Sequence, residues 1–173
     1  MGAGVLPVAL YRGAIFILLG QERHNNLWSD FGGSRSGQED HFDTAIREGT
    51  EELNGLLGDE SKLKKRLNND LIVSISNKKD NYKSYLFNIK YDKNLVEYFD
   101  NTNKFAEQYL KDKVNKYNNG LFEKKAVKWF NIDELKTKND IKFIRPHYQE
   151  IVGSVYNRRV FIKSEIVKKN NSV

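Results

Sequence analysis

Residues Gly33 to Glu52 read GSRSGQEDHFDTAIREGTEE. Within this stretch Glu48, Glu51 and Glu52 are spaced i, i+3, i+4. At about 100° per residue, a helix gathers such carboxylates into roughly 100° of arc, too close to remain ionised without cations or protons between them. A face of this kind suits a hard divalent ion such as Mg²⁺ or Mn²⁺, which prefers carboxylate oxygen and is commonly shared with a phosphate-bearing substrate. The apolar residues Phe42, Ala45, Ile46 and Leu53 recur at helical spacing, so the predicted helix has a core side and an acidic side. Asp40 or Asp43 can cap its start.

A glutamate pair alone is ordinary solvated surface. Here six positions form one pattern: Gly33, Glu39, Arg47, Glu48, Glu51 and Glu52. With Gly, Glu and Arg each near average usage, such a set arises by chance at about 10⁻⁷ per starting point. The segment resembles the Nudix box, which is Gly, five spacers, Glu, seven spacers, Arg-Glu, an apolar residue, a spacer, Glu-Glu, a spacer, Gly and an apolar residue. Three positions depart from it: Gly49 and Gly55 replace aliphatic residues, and Asn54 replaces the glycine. Asn54 can still end the helix in the left-handed conformation, or Gly55 can do so one residue later. Gly49 costs about 1 kcal/mol relative to Ala inside a helix, which close packing against a sheet would explain.

The rest of the chain reads as mixed α and β structure. Residues 5–11 and 14–19 are apolar runs joined by Arg12-Gly13, a strand pair with a tight turn, followed by a polar loop over 21–26. The double glycine Gly32-Gly33 lets the backbone bend and approach a ligand. Strands are predicted over 71–76, 82–91 and 126–130. The charged stretch 93–117 reads as a helical insertion with Leu95, Phe99, Phe105, Tyr109 and Val114 turned inward. Asn131, with Glu134 three residues later, opens another helix, and Arg145-Pro146 starts the last clear one. Residues 164–173 form a basic tail open to disorder. This order is similar to the Nudix α/β/α sandwich, an α/β fold with a mixed sheet, here with an extra charged helical segment and a single domain over 1–173. The likeness extends loosely to Trp28–Gly33 and to the Trp129–Leu135 stretch.

At 173 residues the chain can bury a substantial core in one domain. With no cysteine it has neither disulfides nor thiolate zinc sites, and it suits a reducing, cytoplasmic setting. The apolar run 14–19 is too short to span a bilayer, and no targeting signal is seen, so a soluble protein without membrane contact is expected. The formal charge of +6, partly from Lys163, Lys168 and Lys169, favours polyanionic partners without naming one.

The resemblance implies a hydrolase acting on phosphoanhydride bonds, with Mg²⁺ or Mn²⁺ as cofactor. Glu48, Glu51 and Glu52 would hold the metal, and Glu51, Glu52 or Glu123, a carboxylate outside the box, would take the proton of the attacking water. Many relatives carry that outer glutamate nearer the tryptophan, where this chain has Ala126. Gly33, Glu39 and Arg47 are structural, with Arg47 fixing carboxylate rotamers and Glu39 pairing with it or assisting the metal indirectly. Arg23, Arg35 and Lys83 are candidates for phosphate contact, and Trp28, Phe31 or Tyr85 for stacking on a base. His24, His41 and His147 receive no role. Three functions fit: a pyrophosphohydrolase cutting a nucleoside diphosphate linked to another moiety, including capped RNA in mRNA decapping; a non-catalytic Nudix-fold binding module; and a structural or nucleic-acid-binding domain with an acidic surface helix.

Overall fold

The computed structural model describes residues 1–114, 122–137 and 140–171. Chain order is β1 (Gly2–Tyr11), β2 (Ala14–Glu22), β3 (Trp28–Ser29), β4 (Phe31–Ser34), α1 (His41–Glu52), α2 (Glu60–Asp70), β5 (Leu71–Asn77), β6 (Tyr82–Asn88), α3 (Asn94–Tyr109), α4 (Lys111–Val114), β7 (Lys124–Asn131), α5 (Ile132–Thr137), α6 (Pro146–Asn157) and α7 (Arg159–Asn171). Among the described residues, seven strands make one mixed sheet. β1 lies at its centre: it runs parallel to β6 and antiparallel to β2 at one end and to β4 at the other. A strand paired on both edges must be apolar on both faces. Accordingly Ala3, Val5, Leu6, Val8 and Ala9 are all buried.

Where β1 exchanges one partner for the other the sheet splits, and Asp30 turns into the gap. Its carboxylate accepts hydrogen bonds from the Tyr82 hydroxyl at 2.8 Å and the Ser84 hydroxyl at 2.6 Å. Burial raises its pKa to about 6, against the opposing hydrogen bonds.

Two apolar layers cover the sheet. One joins Val5, Leu18, Phe31, Ile46, Leu63, Phe87, Phe99 and Trp129 beneath α1, α2 and α3. The other joins Val8, Ile17, Leu19, Tyr148, Ile151, Ile162 and Ile166 beneath α6 and α7. The result is an α/β/α sandwich. No helix among the described residues is long and apolar enough to cross a membrane.

Several expectations need correction. β2 continues to Glu22 into the expected loop, and β6 stops at Asn88. In α3, Leu95 and Phe99 are buried, but Phe105 and Tyr109 are 56% and 65% exposed. The inward residues there are Asn103 and Ala106, so the buried face continues at i+4 and i+7 from Phe99. The side chain of Val114 and residues 115–117 lie outside the described part. The basic tail is helical through Asn171, because Ile162 and Ile166 dock on the sheet, while 172–173 lie outside the described residues.

Candidate active site

α1 is positioned by its ends. Asp40 is the N-cap, its carboxylate accepting from the Phe42 and Asp43 amides at 2.7 and 2.8 Å. At the far end Leu53 is the C-cap and Asn54 takes the left-handed conformation with φ of 51°. The Asn54 amide donates to the Glu51 carbonyl at 2.9 Å and the Gly55 amide to the Thr50 carbonyl at 3.0 Å, the paired bonds of a Schellman stop. Gly49 faces the sheet: a β-carbon there would stand 2.6 Å from a Val5 methyl. The helix lies against β1 because this residue has no side chain.

The acidic turn at the end of α1 meets β4. The Glu48 carboxylate rests against the α-carbon of Gly33, where a β-carbon would come within 2.6 Å of it. Arg47 ties the surrounding carboxylates together. Its Nε donates to Glu39 at 2.8 Å, Nη2 to the Ser34 carbonyl at 2.9 Å, and Nη1 lies 2.9 Å from Glu48 and 3.2 Å from Glu51. The guanidinium holds Glu39 well below the usual carboxylate range, at about 2. Glu39 also accepts from the Ser36 amide and the Thr44 hydroxyl.

Glu52 points the other way, into the protein. Its side chain is 4% exposed, against 13% for Glu48 and 29% for Glu51. One carboxylate oxygen accepts from the Gly32 amide at 2.7 Å and lies 3.3 Å from the Lys124 ammonium. Burial lifts the Glu52 pKa to about 8 even so, with Lys124 opposing the rise. Lys124 is itself fully buried, its stem laid over Gly20, and its ammonium donates to Glu22 at 2.5 Å and Ser29 at 3.0 Å. Burial alone would lower the pKa of that ammonium, but the charges of Glu52 and Glu22 raise it overall. Glu22 also accepts from Arg145 at 2.8 Å; burial would raise its pKa, and Lys124 and Arg145 outweigh burial to leave it lowered.

Glu123 precedes β7 at the same end of the sheet and is exposed. Burial raises the pKa of both Glu48 and Glu51; Arg47 opposes this and the nearby charge of Glu123 adds to it, so the outer glutamate lies within electrostatic reach of the box. The structure therefore brings Gly33, Glu39, Arg47, Glu48, Glu51, Glu52 and Glu123 to one region. It leaves the substrate candidates dispersed. Arg23 pairs with Glu107 at 2.5 Å, Arg35 is exposed, and Lys83 lies 5.8 Å from the Tyr85 ring centre. Trp28 packs edge-on against Phe130 in the opposite layer. Phe31 and Tyr85 are buried in the core and cannot stack on a base.

Lys124, Glu22, Arg145 and the Asn54 side chain escaped the sequence reading. Glu22 had one signal: it shares a strand face with Leu18 and Gly20, which points a carboxylate inward.

As a site for a metal, the donor set is all carboxylate oxygen, which suits Mg²⁺ or Mn²⁺. Cationic side chains currently engage those oxygens. Among the described residues no group of three or more His, Cys, Asp or Glu side chains is gathered in a metal-holding arrangement. Glu48 and Glu51, already sharing one arginine nitrogen, can turn from it to an ion with side-chain rotation alone.

The architecture is thus a three-layer α/β/α protein organised around one acidic helix end beside a glycine-rich strand. No protein-family model matches the chain, and no curated protein sequence does. Solved structures do. The Caenorhabditis elegans Ap4A hydrolase in a binary complex is similar at 17% identity over 95% of this chain and 99% of that one, with a TM-score of 0.55. A bifunctional NMN adenylyltransferase/ADP ribose pyrophosphatase from Francisella tularensis, complexed with AMP and manganese, is similar at 18% identity and a TM-score of 0.53. That likeness covers 91% of this chain and 41% of the longer one. The chain has the Nudix fold.

Proposed function

We propose that this chain is a Nudix hydrolase: a divalent-metal-dependent pyrophosphohydrolase that cleaves the diphosphate linkage of a nucleoside diphosphate joined to another moiety. The observation that carries this reading is the acidic end of α1 beside Gly32-Gly33, where Glu48 packs on Gly33, Glu52 accepts from the Gly32 amide and Arg47 spans Glu48 and Glu51, with the charge of Glu123 felt at both. Ap4A and ADP-ribose, named for the two structurally similar proteins, both contain a phosphoanhydride that joins a nucleoside to another moiety.

Hydrolysis of such a bond requires the phosphate oxygens to be neutralised and a water to be aimed in line. Glu48, Glu51 and Glu52 would hold Mg²⁺ or Mn²⁺, which when bound neutralises those oxygens and acidifies its water. Glu52 is kept in one rotamer by the Gly32 amide and Lys124, while Arg47 limits the swing of Glu48 and Glu51. Glu123, exposed and outside the Arg47 network, is the carboxylate best disposed to accept the water's proton. The net charge of +6 supports binding of an anionic substrate, while the Arg23 guanidinium is committed to Glu107 and the Phe122 carbonyl.

The test is a panel of dinucleoside polyphosphates, ADP-ribose and capped RNA with Mg²⁺ or Mn²⁺. Release of phosphate-bearing products from at least one member is expected, with at least a hundredfold loss in Glu51→Gln/Glu52→Gln. Activity that survives the double substitution refutes the assignment. Cleavage of capped RNA in preference to the small compounds would identify the decapping form of the same chemistry, and metal binding without turnover would identify a binding module.

A further inference from the structure

The residue before Glu123 holds an unusual backbone conformation. Phe122 has φ of 61°, a region that bulky L residues rarely enter and keep only when their surroundings enforce it. Both of its backbone polar groups are engaged by distant side chains. The Phe122 amide donates to Asn54 Oδ1 at 2.9 Å, and Arg23 Nε donates to the Phe122 carbonyl at 3.0 Å. The Arg23 amide then donates to the Glu123 carbonyl at 3.2 Å.

The inserted helix α3 braces both clamps. Asn103, buried, accepts from Asn54 Nδ2 at 3.2 Å and donates to the Lys124 and Lys125 carbonyls at 3.0 and 3.1 Å. Four residues on, Glu107 holds the Arg23 guanidinium at 2.5 Å. Asn54 stands where the Nudix box has glycine. It supplies the left-handed stop that glycine would supply, and in addition an amide that glycine lacks.

We infer that Asn54, Arg23 and the α3 residues Asn103 and Glu107 are positioning residues for Glu123, so that the inserted helix is part of the active-site framework. The inference rests on the proposed role of Glu123. The three segments that hold residues 122–125 come from the end of the acidic helix, from the end of β2 and from the insertion, and each contact ends on backbone atoms within one residue of Glu123 or on the start of β7. With the clamp in place, the Glu123 charge is felt at Glu48 and Glu51. Without it Phe122 relaxes to an ordinary conformation and the carboxylate is carried away.

The test is Mn²⁺ affinity, read from the electron-spin resonance of the free ion, together with kcat and KM on whichever phosphoanhydride compound is cleaved. Asn54→Gly keeps the left-handed helix stop and removes only the amide. It is expected to weaken Mn²⁺ binding about tenfold, the scale of lost outer-shell support, and to lower kcat with KM little changed. Glu123→Gln should do the same, and the double variant should be no worse than Glu123→Gln alone. Arg23→Met, which leaves the helix end intact, should reproduce the loss if Asn54→Gly folds poorly. Wild-type behaviour of Asn54→Gly alongside an impaired Glu123→Gln would overturn the positioning role and leave the proposed function standing. So would losses that multiply in the double variant. A wild-type Glu123→Gln would instead remove Glu123 from the site and the inference with it.

Discussion

Gly33→Ala separates the site from the fold. The backbone at Gly33 is ordinary extended strand, paired opposite Ala3, so an alanine is tolerated by the main chain. Its β-carbon would stand 2.6 Å from the Glu48 carboxylate, whereas ordinary contact begins near 3.4 Å. The carboxylate must therefore retreat by about 0.8 Å. It is the far end of a flexible side chain, and its tie is one arginine nitrogen at 2.9 Å, so rotation is the cheap response. Stability should change by less than about 1 kcal/mol, or roughly 2–4 °C in melting temperature for a chain of this size. If Glu48 holds the ion as proposed, displacement on this scale should cost about 10- to 100-fold in Mn²⁺ affinity and about 100-fold in turnover. Gly153→Ala in α6, whose β-carbon meets nothing within 4 Å, is the control for adding a methyl group and should leave Mn²⁺ affinity and turnover unchanged while stabilising the fold by about 1 kcal/mol of helix propensity. Paired melting curves and free-Mn²⁺ titrations decide the matter. A Gly33→Ala protein that binds Mn²⁺ like the wild type would refute the claim that this glycine exists to admit Glu48.

Gly49→Ala trades about 1 kcal/mol of helix propensity against an overpacking cost of roughly 1–3 kcal/mol on Val5, so denaturant melts should register a net loss. Adding Val5→Ala should cost about 1 kcal/mol less than the two single changes predict together, and strict additivity would count against the packing explanation. Lys124→Met removes the cation between buried Glu22 and Glu52 and should destabilise by about 3–5 kcal/mol near pH 9. Glu52 has its pKa raised by burial to about 8, so its neutral form is the favoured one at low pH and that advantage is lost as pH rises through 8. The Lys124→Met penalty should accordingly shrink at pH 6; a pH-independent penalty in circular-dichroism melts would contradict the charge argument. Asp30, raised by burial from 3.8 to about 6, favours folding below pH 4 and loses that contribution as pH climbs through 6, so Asp30→Asn should flatten the stability profile over that interval.

What the sequence disclosed followed from how far apart the partners lie in the chain. The acidic turn, its arginine and its approach glycine fall within 20 residues and are arranged by one helix, so spacing alone conveys their geometry. The core strands were visible as apolar runs. α2 was not, because it offers only Leu63 and Leu67 to the core in an otherwise polar stretch. In α3 the aromatic rings of Phe105 and Tyr109 suggested the wrong face, since Asn103 is buried on the strength of hydrogen bonds that no hydrophobicity pattern registers. α7 looked like a charged tail because two isoleucines four apart, Ile162 and Ile166, are the residues it buries. The counter-ions were hidden for a plainer reason: Lys124 is 102 residues from Glu22, and Arg145 is 123 residues from it. The closing of β2 against β7 makes Lys124 a neighbour of Glu22, and the docking of residues 144–145 on Trp28 of β3 brings Arg145 there.

The internal ammonium of Lys124 gives this fold an independence from its surroundings. Structural zinc proteins collapse under chelation because the ion is the only thing reconciling their ligands. Here arginine and lysine perform that reconciliation from within the polypeptide. On the proposed function, the divalent ion would be needed for turnover and not as scaffolding.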